Sequence, residues 1–192
     1  MKCLEKLVLK AMDSIIPITT DPLQFAYRKN RSVNDTVALA LHSAVEHLDT
    51  PNTYVRMLFL DYSSAFNTVL PTKLVAKLAG LRLPSSTCSW ILNFLTERPQ
   101  VVRVGNRVST ALTISTGTPQ GCCLSPRLFT LYTNDCLSSH KTCHIYKFAD
   151  DTSILGLIKG GDETNYRQQV DNILPPYKPC TSKVLWCSVL RA

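Results

Sequence analysis

Asp61 ends a dense apolar run, and the adjacent carboxylates Asp150 and Asp151 stand between two other short apolar runs. Three carboxylates gathered at strand ends would repel one another, and a divalent cation would offset that repulsion. Hard oxygen donors suit Mg²⁺, which keeps several waters and shares its shell with substrate phosphates. Two such ions about 3.5–4 Å apart stabilise both the attacking and the leaving oxygen in phosphoryl transfer. The plain alternative is a solvated turn, where Asp is common. Two further segments carry chemistry. The loop Thr116-Gly117-Thr118-Pro119-Gln120-Gly121 has glycines that let backbone approach a ligand and an amide, Gln120, that can hydrogen-bond one. The stretch QFAYRKNRS at 24–32 interleaves cations with two aromatics; Arg suits phosphate, and aromatic rings suit stacking or packing. An ordinary strand-to-helix turn and a solvated basic loop are the bland readings of these two.

The elements that must position these residues are legible from periodicity. Residues 3–16 read as an amphipathic helix with Leu4, Leu7, Val8, Met12 and Ile15 on one stripe. Ser32 can N-cap a second helix, whose apolar positions are Val33, Val37, Ala40, Leu41, Ala44, Val45 and Leu48. The run 55–60 has the density of a strand buried on both faces, and it stops at Asp61. Pro71 can open a helix that Gly80 closes, and another runs over 86–95. Segments 100–104 and 107–114 alternate around Gly105-Asn106, a hairpin signal. Pro126 opens a helix extending to about Cys136. Runs 145–148 and 152–158 flank Ala149-Asp150-Asp151, predicting a hairpin with two carboxylates at its tip. Beyond Asn172 no period is visible.

Composition narrows the class. The 192 residues are 45% hydrophobic, too many for a disordered chain, and enough for one domain or at most two small ones. The net charge of +7 favours a polyanionic partner such as nucleic acid. No stretch is apolar over the ~18 residues a membrane span needs, so no membrane is expected as a partner. The charged, helical-spaced start is unlike a secretion signal. The eight cysteines include no CxxC, so reduced thiols, no disulfide-linked partner, and a location in the nucleus or cytoplasm are expected.

Four motifs in order, QFAYRKNRS at 24–32, LFLDYSSAFNTV at 58–69, STGTPQGCCLSPRLF at 115–129 and FADD at 148–151, resemble a reverse transcriptase of the LINE (non-LTR retrotransposon) type. NTYVRM at 52–57, WILNFLTERPQVVRVGN at 90–106 and GDETNYRQQVDN at 161–172 are similar to the same family, so the likeness runs over 1–173. It implies an α+β fold, a right-hand polymerase palm with partial fingers and the thumb missing. Residues 1–52 would be a fingers segment, 53–173 the palm with its connecting helices, and 174–192 an unrelated or shifted-frame tail. It implies RNA-directed DNA synthesis by two-metal nucleotidyl transfer to a primer 3′-hydroxyl, impaired by truncation. The partners would be an RNA template, a DNA primer and dNTPs, with two Mg²⁺ ions, or Mn²⁺ in their place.

By that likeness Asp61, Asp150 and Asp151 are the catalytic carboxylates and metal ligands, joined by the Tyr62 carbonyl. Phe66 would bar a ribose 2′-hydroxyl, and Gln120 and Arg28 would contact the incoming nucleotide. Arg31 and Gly121 would contact nucleic acid. Asn67 and Cys122 depart from residues common in the family, Asp and Ser; a thiol is a weak hydrogen-bond partner, so a steric role is expected for Cys122. Three other readings stay open. One is an inactive remnant acting at most as a nucleic-acid-binding module. Another is a zinc site on Cys136, His140, Cys143 and His144, which have suitable ligand types. The third is a different two-metal enzyme such as a nuclease.

Overall fold

The computed structural model describes residues 2–17, 21–62, 64–177 and 181–191, with side chains up to residue 173. The elements run α1 (Lys2–Ile15), α2 (Val33–Leu48), β1 (Thr53–Tyr62), a 3-10 turn (Ala65–Asn67), α3 (Pro71–Gly80) and α4 (Ser85–Leu95). They continue through β2 (Arg98–Gln100), β3 (Arg103–Val104), β4 (Arg107–Val108), β5 (Leu112–Ile114), α5 (Ser125–Tyr132), β6 (Cys143–Phe148), β7 (Asp151–Lys159), α6 (Thr164–Tyr177) and β8 (Thr181–Arg191). They fall into two compact units that interleave along the chain, one of residues 2–17 and 66–132 and the other of the described residues within 21–65 and 133–191.

The second unit is built on a four-stranded sheet in the order β6-β7-β1-β8, antiparallel throughout. Its side chains sort by the period of two that a strand imposes. On one face Val55, Tyr146 and Leu155 pack with Ala44 of α2 and with Phe25. On the other, Leu58, Leu60, Ile145, Ile154 and Ile158 meet Tyr166, Val170 and Ile173 of α6. Both faces of β1 are therefore covered, as its apolar density predicts. Only part of α2 faces the sheet. Ala40, Ala44 and Leu48 pack inward, whereas Val33, Val37, Leu41 and Val45 of the same predicted stripe stay exposed. The apolar arc of this helix is wider than the contact it makes.

The sequence shows no period in residues 174–192, yet the backbone of 181–191 forms β8 along the other side of β1, with register shifts between Val55 and Met57 and between Asp61 and Tyr62. Pairing of this kind uses backbone N–H and C=O groups, and hydropathy patterns do not encode it.

At the far end of β1 from Asp61, Glu163 gathers three partners. Tyr54 Oη and Arg56 Nε each donate to Oε1 at 2.7 Å, and Arg167 Nη2 donates to Oε2 at 2.9 Å. The Tyr54 hydroxyl above all, then the two guanidiniums, hold the carboxyl well below its ordinary 4.5, at about 2. A depressed carboxylate contributes stability that is complete above its unfolded value and lost as pH falls through the folded one. Acid unfolding followed by circular dichroism should therefore show a loss of stability between pH 4.5 and about 2. Glu163→Gln should flatten that limb; an unchanged limb would refute the assignment.

The first unit is helical, with Leu74, Leu78, Ile91, Leu95, Leu124, Leu128 and Leu131 fully buried. Pro71 occupies the first turn of α3 as predicted. Helix α5 stops at Tyr132, short of Cys136, where Lys77 Nζ donates to the Tyr132 carbonyl at 2.5 Å. The Gly105-Asn106 hairpin forms, but as two short ladders, β2–β5 and β3–β4, with Gly105 at φ +58° in the turn. Helix α1 is rotated from its predicted face. Met12 and Glu5 are buried, while Leu4, Leu7 and Ile15 are exposed. Polar anchors set that rotation: Glu5 Oε2 accepts the Cys123 N–H at 2.7 Å, and Asp13 accepts from Arg127 Nε at 2.8 Å. Among the described residues no helix is long and apolar enough to cross a membrane, and Cys3, Cys88, Cys122, Cys123, Cys136 and Cys143 are free thiols.

Candidate active site

The sheet register assembles the acidic residues. Leu60 lies opposite Thr152, so the next step sets Asp61 on β1 beside Asp151 on β7. Phe148 pairs with Asp151 across a two-residue turn of Ala149 and Asp150. Ala149 sits at φ +57°, a left-handed conformation worth about 1–2 kcal/mol of strain in any residue but glycine. Burial, and then the charges of Asp150 and Asp61, hold the Asp151 carboxyl above its ordinary value. Asp151 thus lies within the field of both Asp150 and Asp61. Among the described residues no three His, Cys, Asp or Glu side chains form a ready metal cage. An ion that keeps its waters and shares substrate phosphates requires no closed cage, and carboxylate oxygens brought to one sheet end are a donor set that fits it. Tyr62 is the last residue of β1, immediately past a register shift of the kind that re-aims groups beside active sites.

Residues 23–25 pair with β6, the edge strand of the sheet, at Lys147. Lys147 N–H donates to Leu23 O and Phe25 N–H to Lys147 O, both at 2.9 Å. Gln24 carries the pairing one step further with its side chain. Its Oε1 accepts from Ala149 N–H at 3.1 Å and Ala26 N–H at 3.0 Å, and its Nε2 donates to Ala149 O at 3.3 Å. Below it, the Lys147 ammonium is 2% exposed and lies 2.5 Å from Asp21 Oδ2, with the Thr133 and Cys136 carbonyls each at 2.8 Å. Arg28 donates to the Asp21 carbonyl, and Arg31 lies over the Phe25 ring, 5.4 Å from its centroid. Tyr27, at φ +59°, has its phenol raised by burial and then by the charge of Asp150. Gln24, Lys147 and Asp21 carry no predicted role. A lone lysine inside the apolar run 145–148 is the one available signal, since lysine is almost never buried unless paired.

Phe66, Gln120 and Gly121 belong to the other unit. The Phe66 ring packs on Phe129 with centroids 4.9 Å apart, and its carbonyl accepts the Thr118 N–H at 2.8 Å. Gln120 lines a cavity of about 860 Å³ with Asn67, Arg98, Gln100, Thr116 and Thr118. Arg98 Nη2 donates to the Thr116 and Gly117 carbonyls at 2.6 and 3.0 Å and so braces the loop. Cys122 has more than a steric role. Its Sγ accepts the Ser125 N–H at 3.3 Å, giving a partner to the first backbone donor of α5. The zinc reading fails, because Cys143 and His144 are consecutive strand residues on opposite faces and no such trio assembles among the described residues.

Gly117 and Gly121 are both left-handed, at φ +70° and +75°, but only Gly117 is enclosed. A Cβ there would lie 2.6 Å from Asn67 Cα, whereas one on Gly121 meets nothing within 4 Å. Gly117→Ala should therefore cost about 2–4 kcal/mol, strain plus a clash with rigid backbone, and Gly121→Ala about 1–2 kcal/mol. Urea unfolding of the two variants measures the difference; equal costs would refute the close approach.

The family model described as reverse transcriptase (RNA-dependent DNA polymerase) matches residues 1–167. The chain belongs to the reverse transcriptase family. Among curated proteins it is 29% identical over 162 residues to the probable RNA-directed DNA polymerase from transposon X-element of Drosophila melanogaster. The match spans 80% of this chain and 17% of that relative. It is 27% identical over 164 residues to the RNA-directed DNA polymerase from mobile element jockey of the same species, spanning 80% and 18%. The LINE-type resemblance read from the four motifs agrees with both. Telomerase structures from Candida tropicalis and Candida albicans share the fold, with TM-scores of 0.64 and 0.65 at 12% and 13% identity. Each covers 96% of this chain, which spans 32% and 34% of theirs. The chain is thus a retrotransposon-type reverse transcriptase domain of mixed helix and sheet, spanning under a fifth of the curated relatives' length.

Proposed function

We propose that this domain takes part in RNA-templated DNA synthesis, adding deoxynucleotides to a primer 3′-hydroxyl. The observation that carries the reading is the register that brings Asp61 on β1 beside Asp151 on β7, with Asp150 in the adjoining turn. Asp61 and Asp150 would hold the divalent ions, with Asp151 as a third carboxylate and the Tyr62 carbonyl as a further oxygen donor. Mg²⁺ held there would supply activation of the primer hydroxyl and neutralisation of the triphosphate charge. Phe66 excludes a ribose 2′-hydroxyl, Gln120 and Arg28 orient the incoming nucleotide, and Arg31 and Gly121 contact nucleic acid. Residues 53–173 supply the palm and 1–52 a fingers segment.

The deciding experiment is primer extension on an RNA template with dNTPs and Mg²⁺. Incorporation that disappears in Asp150→Asn is the expected result. Absence of incorporation with retained template–primer binding would instead make the domain a nucleic-acid-binding module.

A further inference from the structure

The polymerase reading leaves the buried amide of Gln24 without a role. This side chain is 4% exposed and bonds to a residue far away in sequence. Its carboxamide takes both the N–H and the C=O of one residue, Ala149, a two-point grip that needs an acceptor and a donor on one short planar group. The backbone pairing of 23–25 with Lys147 brings Gln24 to the place where the next ladder bonds would fall. Ala149 is the turn residue forced to positive φ, and the next two residues are Asp150 and Asp151. The conformation at Ala149 therefore decides where those carboxylates point. A side chain that only filled space would not require both polar atoms of the amide to be satisfied by the same residue.

We propose that Gln24 is a positioning residue that grips the Ala149 peptide in its left-handed conformation and so sets Asp150 and Asp151 beside Asp61. This rests on the reading of the three aspartates as a metal-holding site. Gln24 touches neither metal nor substrate; it acts through the turn, as outer-shell hydrogen bonds orient metal ligands elsewhere.

The test uses the full chain with Mn²⁺ alone as the probe, its affinity read by electron paramagnetic resonance. Gln24→Met keeps the length and loses every hydrogen bond, and Asp150→Asn is the reference. Gln24→Met should weaken Mn²⁺ binding about 10–100-fold. It should also speed amide exchange at Ala149, leave exchange at Leu58 and Ile154 unchanged, and lower kcat in primer extension with little change in KM for dNTP. Should Gln24→Met fail to fold, Gln24→Glu carries the same test, because it keeps the acceptor for Ala149 N–H and loses the donor to Ala149 O. It should keep Ala149 N–H protected and weaken Mn²⁺ binding less than Asp150→Asn does. Native Mn²⁺ affinity and native Ala149 exchange in a folded Gln24→Met would overturn the proposal while the aspartate reading stood. Equal Mn²⁺ affinity in native protein and Asp150→Asn would overturn both.

Discussion

Asp61→Asn and Asp150→Asn are each expected to lower primer extension by about 10³-fold, because several kcal/mol of transition-state charge stabilisation is lost at 1.36 kcal/mol per decade. Asp151→Asn should cost less, since it removes the third carboxylate and leaves the two ion-holding ones. The same substitutions should move stability the other way. Asp151 titrates above its ordinary value through burial and the charges of Asp150 and Asp61. A carboxyl raised in the folded state destabilises it once ionised, so stability falls as pH rises from the ordinary Asp value through the folded one. Asp151→Asn should thus raise the thermal midpoint of the metal-free protein at neutral pH. Added Mg²⁺ should raise the midpoint of the native protein and raise that of Asp150→Asn less. Equal activity in all three variants, or a lower midpoint in Asp151→Asn, would refute the cluster. Opposed effects on activity and stability are the signature of a site held together against its own charge.

That opposition was half visible in the sequence. The run 55–60 ending at Asp61 and the paired runs around FADD predict two strands with acidic ends, and the sheet pairs them. The prediction works because burial on both faces of a strand leaves a dense apolar signature. Pro71 and the Gly105 turn are legible for a related reason, a backbone constraint belonging to one residue type. The failures have one cause. Glu5 turns α1 about its axis by bonding Cys123, Gln24 grips Ala149, and Lys147 reaches Asp21. Each is a polar contact between segments distant in sequence, and periodicity carries no trace of it. The edge strand β8 was invisible because its pairing is made by backbone. Hydropathy thus marks the strands that carry the aspartates and misses the polar contacts that orient their turn.

The deepest of those contacts carries the second large effect. Lys147→Met should destabilise the protein by about 3–5 kcal/mol, the cost of leaving a buried ion without its partner. Asp21 would keep a carboxylate 4% exposed with no ammonium beside it, and the carbonyls of Thr133 and Cys136 would lose their shared donor. Against a total stability of about 5–15 kcal/mol this is a large fraction. Asp21→Asn should cost a similar amount, because it strands the ammonium instead. The double variant, Lys147→Met with Asp21→Asn, should lie closer to the native protein than either single one. It buries no unpaired charge, and the Asn oxygen can still accept the Leu23 N–H that Asp21 Oδ1 now accepts at 3.0 Å. Urea unfolding of the four proteins closes the cycle, and costs that simply add would refute the pair. Activity should follow the same order as stability. Lys147 lies two residues before Ala149, on the strand that the 21–26 segment clamps. Restoring charge balance in the double variant repairs the fold and leaves Gln24 and its bonds to Ala149 in place, so primer extension should recover along with folding. Had the ammonium itself served the reaction, the stabilised double variant would remain inactive.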